Sequence, residues 1–348
     1  MLTHTRPFLG FIGVLALLGC SGSDTHYGPA YSELVNAIAV ADIDGNGFPD
    51  ILGVVSTTVG GAPTQGYVST RLQTAAGAFA LPTRFGVGTG PANLVVADVN
   101  GDGKPDLVVA NADDQTVTVR FADPARPGFF LPAIVLATPG QTPLDVAVGN
   151  LTGRTDGLLD VVVAAPATPG FFLPPFLAHS VLVFPQGATA GTFLTPINYT
   201  VGGDPQAVTV ADLDGNGRAD IAVATTANTV SVLLQTAAGV FAPAVEYATG
   251  VQPVAIKAVD LNGDGKLDLL TANFGATTSP GTQGLSVLLQ GATGTFTGPV
   301  HYTTAYRAVA LAVGDLNGDG KRDVAVACEG LPGDPGAVSV FLQDPATP

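Results

Sequence analysis

Residues 211–224 read ADLDGNGRADIAVA. Asp212, Asp214, Asn216 and Asp220 fall within nine positions, glycines alternate with them, and an apolar run follows at once. In such a stretch the side chains at positions one, three, five and nine offer oxygen, and position seven offers its backbone carbonyl. An oxygen-only donor set suits a hard cation, and Ca2+ takes ~6–8 oxygens at ~2.3–2.6 Å. The glycines let the chain wrap without Cβ clashes. The loop of a helical switch, a catalytic site and a structural staple would each use such residues. A metal-free turn, held by Asp-to-backbone hydrogen bonds, is the plain alternative.

Repetition decides among these. The same text recurs as ADIDGNGFPDILGVV from Ala41, ADVNGDGKPDLVVAN from Ala97, VDLNGDGKLDLLTAN from Val259 and GDLNGDGKRDVAVAC from Gly314. A worn copy, GNLTGRTDGLLDVVVA, begins at Gly149. The candidate calcium donors are therefore Asp42, Asp44, Asn46, the carbonyl of Phe48 and Asp50 in the first copy. They are Asp98, Asn100, Asp102, the carbonyl of Lys104 and Asp106 in the second. In the fourth, Asp212, Asp214 and Asn216 join the carbonyl of Arg218 and Asp220. The fifth offers Asp260, Asn262, Asp264, the carbonyl of Lys266 and Asp268. The sixth offers Asp315, Asn317, Asp319, the carbonyl of Lys321 and Asp323. The third copy keeps only Asn150, Thr152 and Asp160, with an insertion before the last Asp, so about five calcium sites are expected and the sixth is doubtful. A helical calcium switch needs a bidentate Glu at position twelve. That position is Gly53, Val109, Val223, Thr271 or Val326, inside an apolar run, which removes the switch. One catalytic site does not come in five copies.

Each period has the same parts. Pro91, Pro143, Pro205 and Pro253 sit seven residues before their motifs and open a short run such as AVTVADL. The motif leads into a second run (DIAVAT), a variable loop leads to a third (TVSVLLQ), and a small turn leads to a fourth (APAVEYAT). Four short alternating runs with Gly turns read as an antiparallel meander. A repeat of such meanders every 48 to 62 residues marks a β-propeller. Six motifs predict an all-β, six-bladed propeller, with seven blades as the alternative count. The last period stops after its third run, AVSVFLQ. The N-terminal text HYGPAYSEL parallels the fourth runs, so an N-terminal strand is expected to complete the last blade and remove a free sheet edge.

The text VADLDGNGRADIAVA…SVLLQTAAGVF resembles the FG-GAP/VCBS repeat of integrin-like propellers over essentially all of residues 27–343. That resemblance implies a calcium-binding propeller and leaves the role open, since such proteins serve adhesion, lectin and enzyme-associated functions.

Composition agrees with many strands and tight turns: 45 Gly, 27 Pro, no Trp and 12% charged residues. The net charge of −15 and the lack of a basic stripe exclude a nucleic-acid binder. Five loops of three carboxylates each account for a charge of that size, so the acidity is metal chemistry. The N-terminal MLTHTRPFLGFIGVLALLGC has a polar start with Arg6 and a short apolar core, as a signal peptide does over 1–19. Its end, Leu17-Leu18-Gly19-Cys20, resembles the bacterial lipobox, which implies lipidation at Cys20, a short linker over 20–26 and a single propeller over 27–348. By the same resemblance Ser21 favours the outer membrane. Cys328, in an apolar run, is expected to be a buried thiol without a disulfide.

The sequence is thus read as an exported, lipid-anchored, monomeric envelope protein, a binding or scaffolding module for a protein or polysaccharide. The only membrane contact expected is the lipid. An enzyme, a hydrolase or lyase working in the channel or on the loop face, is the second reading, although no G-x-S-x-G, H-E-x-x-H or phosphate-binding glycine loop occurs. The first runs should line the channel, and Lys257 is the charge they are expected to place there. Tyr27, Tyr31, Tyr199, Tyr247 and Tyr302 fall in fourth-run text and are assigned to blade packing. The apolar insertion over 171–177 is either a loop folded on its own blade edge or a contact patch.

Overall fold

The computed structural model describes residues 31–59, 62–168, 179–275, 284–291, 294–330 and 336–343. The expected signal peptide over 1–19, Cys20, Tyr27 and the stretch 171–177 lie outside these residues. Six antiparallel sheets follow one another along the chain. The fourth blade is representative: Pro205–Ala211, Asp220–Thr225, Thr229–Leu233 and Val245–Ala248 pair in order. Five sheets have four strands, and three strands of the sixth are described: Arg307–Gly314, Asp323–Glu329 and Ala337–Phe341. The count is six blades. Tyr31 does not belong with the fourth strands: it begins the innermost strand of blade 1, Tyr31–Ala41, and pairs with Val59. That strand runs longer than its counterparts, which the spacing of the repeats did not reveal.

Each element follows from its residues. The prolines Pro91, Pro205 and Pro253 open inner strands, the place where a missing N–H breaks no ladder. One residue later five inner strands carry a register shift, between Val35 and Ala37, Pro91 and Asn93, Pro205 and Ala207, Pro253 and Ala255, and Ala308 and Ala310. Such bulges bend the strand and increase its twist, as strands gathered around an axis require. Second strands such as Asp220–Thr225 are buried along their whole length, because neighbouring blades cover both faces. Continuous apolar text, rather than alternation, is the consequence.

The core is therefore divided into wedges between blades. Val108, Val117 and Val119 of blade 2 pack on Val146, Val161 and Val163 of blade 3. Leu213, Ala222 and Val232 of blade 4 pack on Ile256, Leu269 and Leu288 of blade 5. Each fully buried aliphatic side chain contributes about 1.5–3 kcal/mol. At the rim, Tyr199 meets Phe241, Tyr247 meets Phe296 and Tyr302 meets Phe341 edge to face, at 4.9, 5.3 and 5.6 Å between ring centres. Each pair joins one blade to the next, which bears out the packing role of these tyrosines. Cys328 is buried.

The inner strands of all six blades line one axial channel of 480 Å³. The motif loops lie at one end of it, beside the ends of the third strands, where Asn46 and Asn216 donate to the carbonyls of Gln73 and Gln235.

Candidate metal centres

In every blade the motif loop joins the inner strand to the second strand, and the ninth-position Asp pairs with the residue just before the motif. Those pairs are Ala41 with Asp50, Ala97 with Asp106, Gly149 with Asp160, Ala211 with Asp220, Val259 with Asp268 and Gly314 with Asp323. The first carboxylate organises the turn. Asp212 accepts from the backbone N–H groups of Gly215, Asn216 and Gly217 at 2.8, 3.1 and 2.7 Å. Asp42, Asp98, Asp260 and Asp315 each make the same three bonds in their own loops. Gly215 and Gly217 have φ of +77° and +82° with open space around them, so backbone conformation alone requires glycine there.

Positions three and five hold one Asp and one Asn in either order, and the amide donates to the carboxylate. Asn46 reaches Asp44 at 3.0 Å, Asn100 reaches Asp102 at 3.2 Å, Asn216 reaches Asp214 at 2.9 Å and Asn317 reaches Asp319 at 3.0 Å. The fifth side chain also accepts the position-seven N–H, from Phe48, Lys104, Arg218, Lys266 or Lys321.

Asp42, Asp44 and Asp50 bring carboxylate oxygens within 4.8 Å of one another, and so do Asp212, Asp214 and Asp220. Burial pushes the Asp106 and Asp220 carboxyls up to about 6, and repulsion from Asp102, or from Asp214 and Asp212, adds to it against their backbone donors. Burial likewise raises Asp50 and Asp268. Crowded oxygens that resist ionisation are the complement of a divalent cation. Together with an oxygen-only set and a tight glycine turn, this suits Ca2+ in the first and fourth loops, where three carboxylates converge, and the second, fifth and sixth loops repeat the same turn.

The ninth-position Asp does more than its sequence position suggested. It is fully buried in all six blades. One oxygen accepts from the second motif residue and the other from the residue closing the third strand. For Asp220 the donors are Leu213 N at 2.7 Å and Gln235 N at 2.6 Å. Asp50 bonds Ile43 and Gln73, Asp106 bonds Val99 and Ala122, Asp268 bonds Leu261 and Gln290, and Asp323 bonds Leu316 and Gln343. Asp160, in the worn copy, keeps the same bonds to Leu151 and Gln186, each at 2.8 Å. This staple survives where the metal ligands do not.

Sequence reasoning missed the glutamine beside it. Gln186 donates its amide to Val99 O, Gln235 to Leu151 O and Gln290 to Leu213 O, each crossing to the preceding blade's loop, and Gln186 also reaches Leu159 O in its own blade. The signal was present as a recurrent Gln ending the third run. Blade 2 has Ala122 at that place.

The channel also corrects an expectation. Lys257 lines it, but so does Asp145, at the start of the inner strand of blade 3. That strand starts at Asp145 itself, ahead of the apolar run from Val146. Asp145 accepts from Asn93 Nδ2 of blade 2 at 2.6 Å and from Val208 N of blade 4 at 2.9 Å. It also accepts from its neighbour Val146 N at 2.9 Å, so one carboxylate links three consecutive inner strands. Desolvation by the channel walls raises its pKa, opposed by those donors and by the charge of Lys257. A raised carboxyl stabilises the fold while protonated, and that contribution is lost as pH rises through the folded value. Asp145→Asn is therefore expected to flatten the fall in stability as pH rises above the ordinary carboxylate range, read as the difference between wild-type and variant urea midpoints.

A family model described as FG-GAP-like repeat matches residues 54–109, 155–223, 212–271 and 274–326. The chain belongs to the FG-GAP-like repeat family. The matches take in the second, fourth, fifth and sixth motifs whole and the worn third from residue 155 on, while the first motif, 42–50, precedes them. No curated protein matches the sequence. Among solved structures, a candidate 6-phosphogluconolactonase from Bacteroides uniformis is similar with a TM-score of 0.55 and 13% identity, over 91% of this chain and 89% of its own. The rhamnogalacturonan lyase PL11 of Bacillus licheniformis gives 0.47 and 16%, over 91% and 59%. BBS1N in complex with ARL6DN gives 0.49 and 12%, over 90% and 93%. At these identities the likeness concerns the fold alone.

Proposed function

We propose that this chain is a calcium-stabilised propeller serving as a binding, adhesion or scaffolding module of the cell envelope, for a protein or polysaccharide partner. The observation that carries the reading is the set of five alike aspartate loops at one end of the ring. A cation in each would clamp an inner strand to its second strand and leave the opposite end, with the loops between second and third strands, for contact. A lipid at Cys20 would hold the ring near the membrane, with the outer membrane favoured, since the linker over 20–26 spans only about 14 Å by chain statistics.

The test is binding of the purified full chain to purified envelope proteins and polysaccharides on a surface, in calcium and in chelator. Saturable binding that weakens when residues 171–177 become a Gly/Ser linker is expected. A folded chain that binds none of them but turns over a polymer would replace this reading.

One observation favours that second reading: Asp145 and Lys257 share the axial channel, so a carboxyl and an amine line one cavity. A hydrolase or lyase working there would lose turnover in Lys257→Ala. A binding module would keep its affinity in that variant.

A further inference from the structure

We propose that the third motif loop is closed by its own arginine, with Arg154 standing where the other loops would hold a metal, so that this corner of the ring keeps its shape without calcium. The inference rests on reading the other five loops as metal sites. Asn150 replaces the first Asp, and both ends of its amide are used on one residue: Oδ1 accepts from Arg154 N at 2.8 Å and Nδ2 donates to Arg154 O at 2.5 Å. The Arg154 guanidinium, with 23% of its side chain exposed, folds onto Asp156. Its Nε lies 3.0 Å from both carboxylate oxygens, and a second bond runs from Nη2. The pair holds the Asp156 carboxyl below the ordinary carboxylate range.

Asp160 accepts from Leu151 N and Gln186 N, as its counterparts do in the other loops, and also from Thr152 N and Oγ1. No carboxylate stands at positions one or three, and the one added by the insertion carries its own cation. The donor set does not fit Ca2+, which wants several anionic oxygens free to converge.

The insertion also wedges the loop between its neighbours. A Cβ on Gly101, in the second loop, would lie 2.9 Å from Asp156 O, and Leu159 N donates to Val99 O at 3.0 Å. On the other side Gly239 N, in blade 4, donates to Leu151 O at 2.7 Å, and a Cβ on Gly153 would lie 2.9 Å from that of Ala238. A loop held this way by its own ion pair keeps the second and fourth blades in register whether or not calcium is present.

Hydrogen exchange across the full chain, with and without calcium, tests this for wild type and Arg154→Gln. Chelation is expected to speed exchange in the five Asp-rich loops and leave residues 150–159 unchanged. Arg154→Gln is expected to speed exchange at 150–159 about fivefold, equally in both conditions, as loss of a partly exposed ion pair predicts. A response of 150–159 to calcium as large as that of the other loops, or no effect of Arg154→Gln, would overturn the proposal. If no loop responds to calcium, the metal reading of the other five fails, and the Arg154→Gln result still decides the arginine closure on its own.

Discussion

Asp160→Ala and Asp220→Ala are expected to be among the most damaging single substitutions in the chain, each costing about 2–6 kcal/mol, with no rescue of Asp160→Ala by calcium. The expectation comes from burial and from counting donors. Asp220 is fully buried and accepts two backbone N–H groups, and Asp160 accepts three such groups as well as a hydroxyl. Alanine leaves two buried N–H groups without acceptors in each case, Leu213 and Gln235 or Leu151 and Gln186, at about 1–3 kcal/mol each. It also cuts the tie between the motif loop and the end of the third strand. Asp212→Ala makes the informative contrast. It also removes an acceptor of three N–H groups, but its loop is exposed and water replaces the carboxylate. In chelator its loss should be below about 1 kcal/mol, and in calcium it should forfeit one site's share of stabilisation. Urea unfolding of the three variants in both conditions checks the ordering.

Removing calcium is expected to have an effect of the same size or larger, spread over the ring. A ligand that binds only the native state stabilises by RT ln(1 + [L]/Kd), which is about 1.4 kcal/mol per site at tenfold excess over Kd. Five such sites amount to about 7 kcal/mol. Extracellular calcium modules bind at ~10⁻⁴–10⁻³ M, so low-millimolar calcium approaches that regime. For a chain of this length the melting temperature should then fall on the order of 10 °C in chelator. The fall should be steeper above about pH 6, where Asp106 and Asp220 no longer hold the protons that partly relieve crowding in their loops. Scanning calorimetry with and without chelator measures it.

Much of this architecture is legible in the text of the chain because the repeat is local. A glycine-spaced Asp motif can form only a tight turn, a Pro seven residues upstream opens a strand, and an uninterrupted apolar run such as DIAVAT is a strand covered on both faces. Those relations hold within one blade and need no knowledge of its neighbours. What the text hides lies between residues far apart in the chain, within a blade or across two. The staple made by Asp50, Asp106, Asp160, Asp220, Asp268 and Asp323 reads in sequence as a ninth ligand, because its second partner is 15 to 26 residues away on the third strand. The amide of Gln186 reaches Val99, 87 residues back, and nothing in a run ending in Gln indicates so distant an acceptor. Asp145 is harder still: it stands where the matching positions of blades 1, 4 and 5 carry Ala37, Ala207 and Ala255, so it looks like the edge of a strand rather than a link among three. Tyr31 misled for the opposite reason, since its local text matches fourth strands while its pairing with Val59 places it in a first.

The central claim is that the aspartate loops are calcium sites, and counting bound calcium on the purified full chain tests it most directly. Equilibrium dialysis followed by metal analysis is expected to find about five Ca2+ per chain. One should be lost for each first-position substitution at Asp42, Asp98, Asp212, Asp260 or Asp315, and none for Asn150→Ala. A folded chain that binds no calcium, or a count indifferent to those aspartates, would contradict the account.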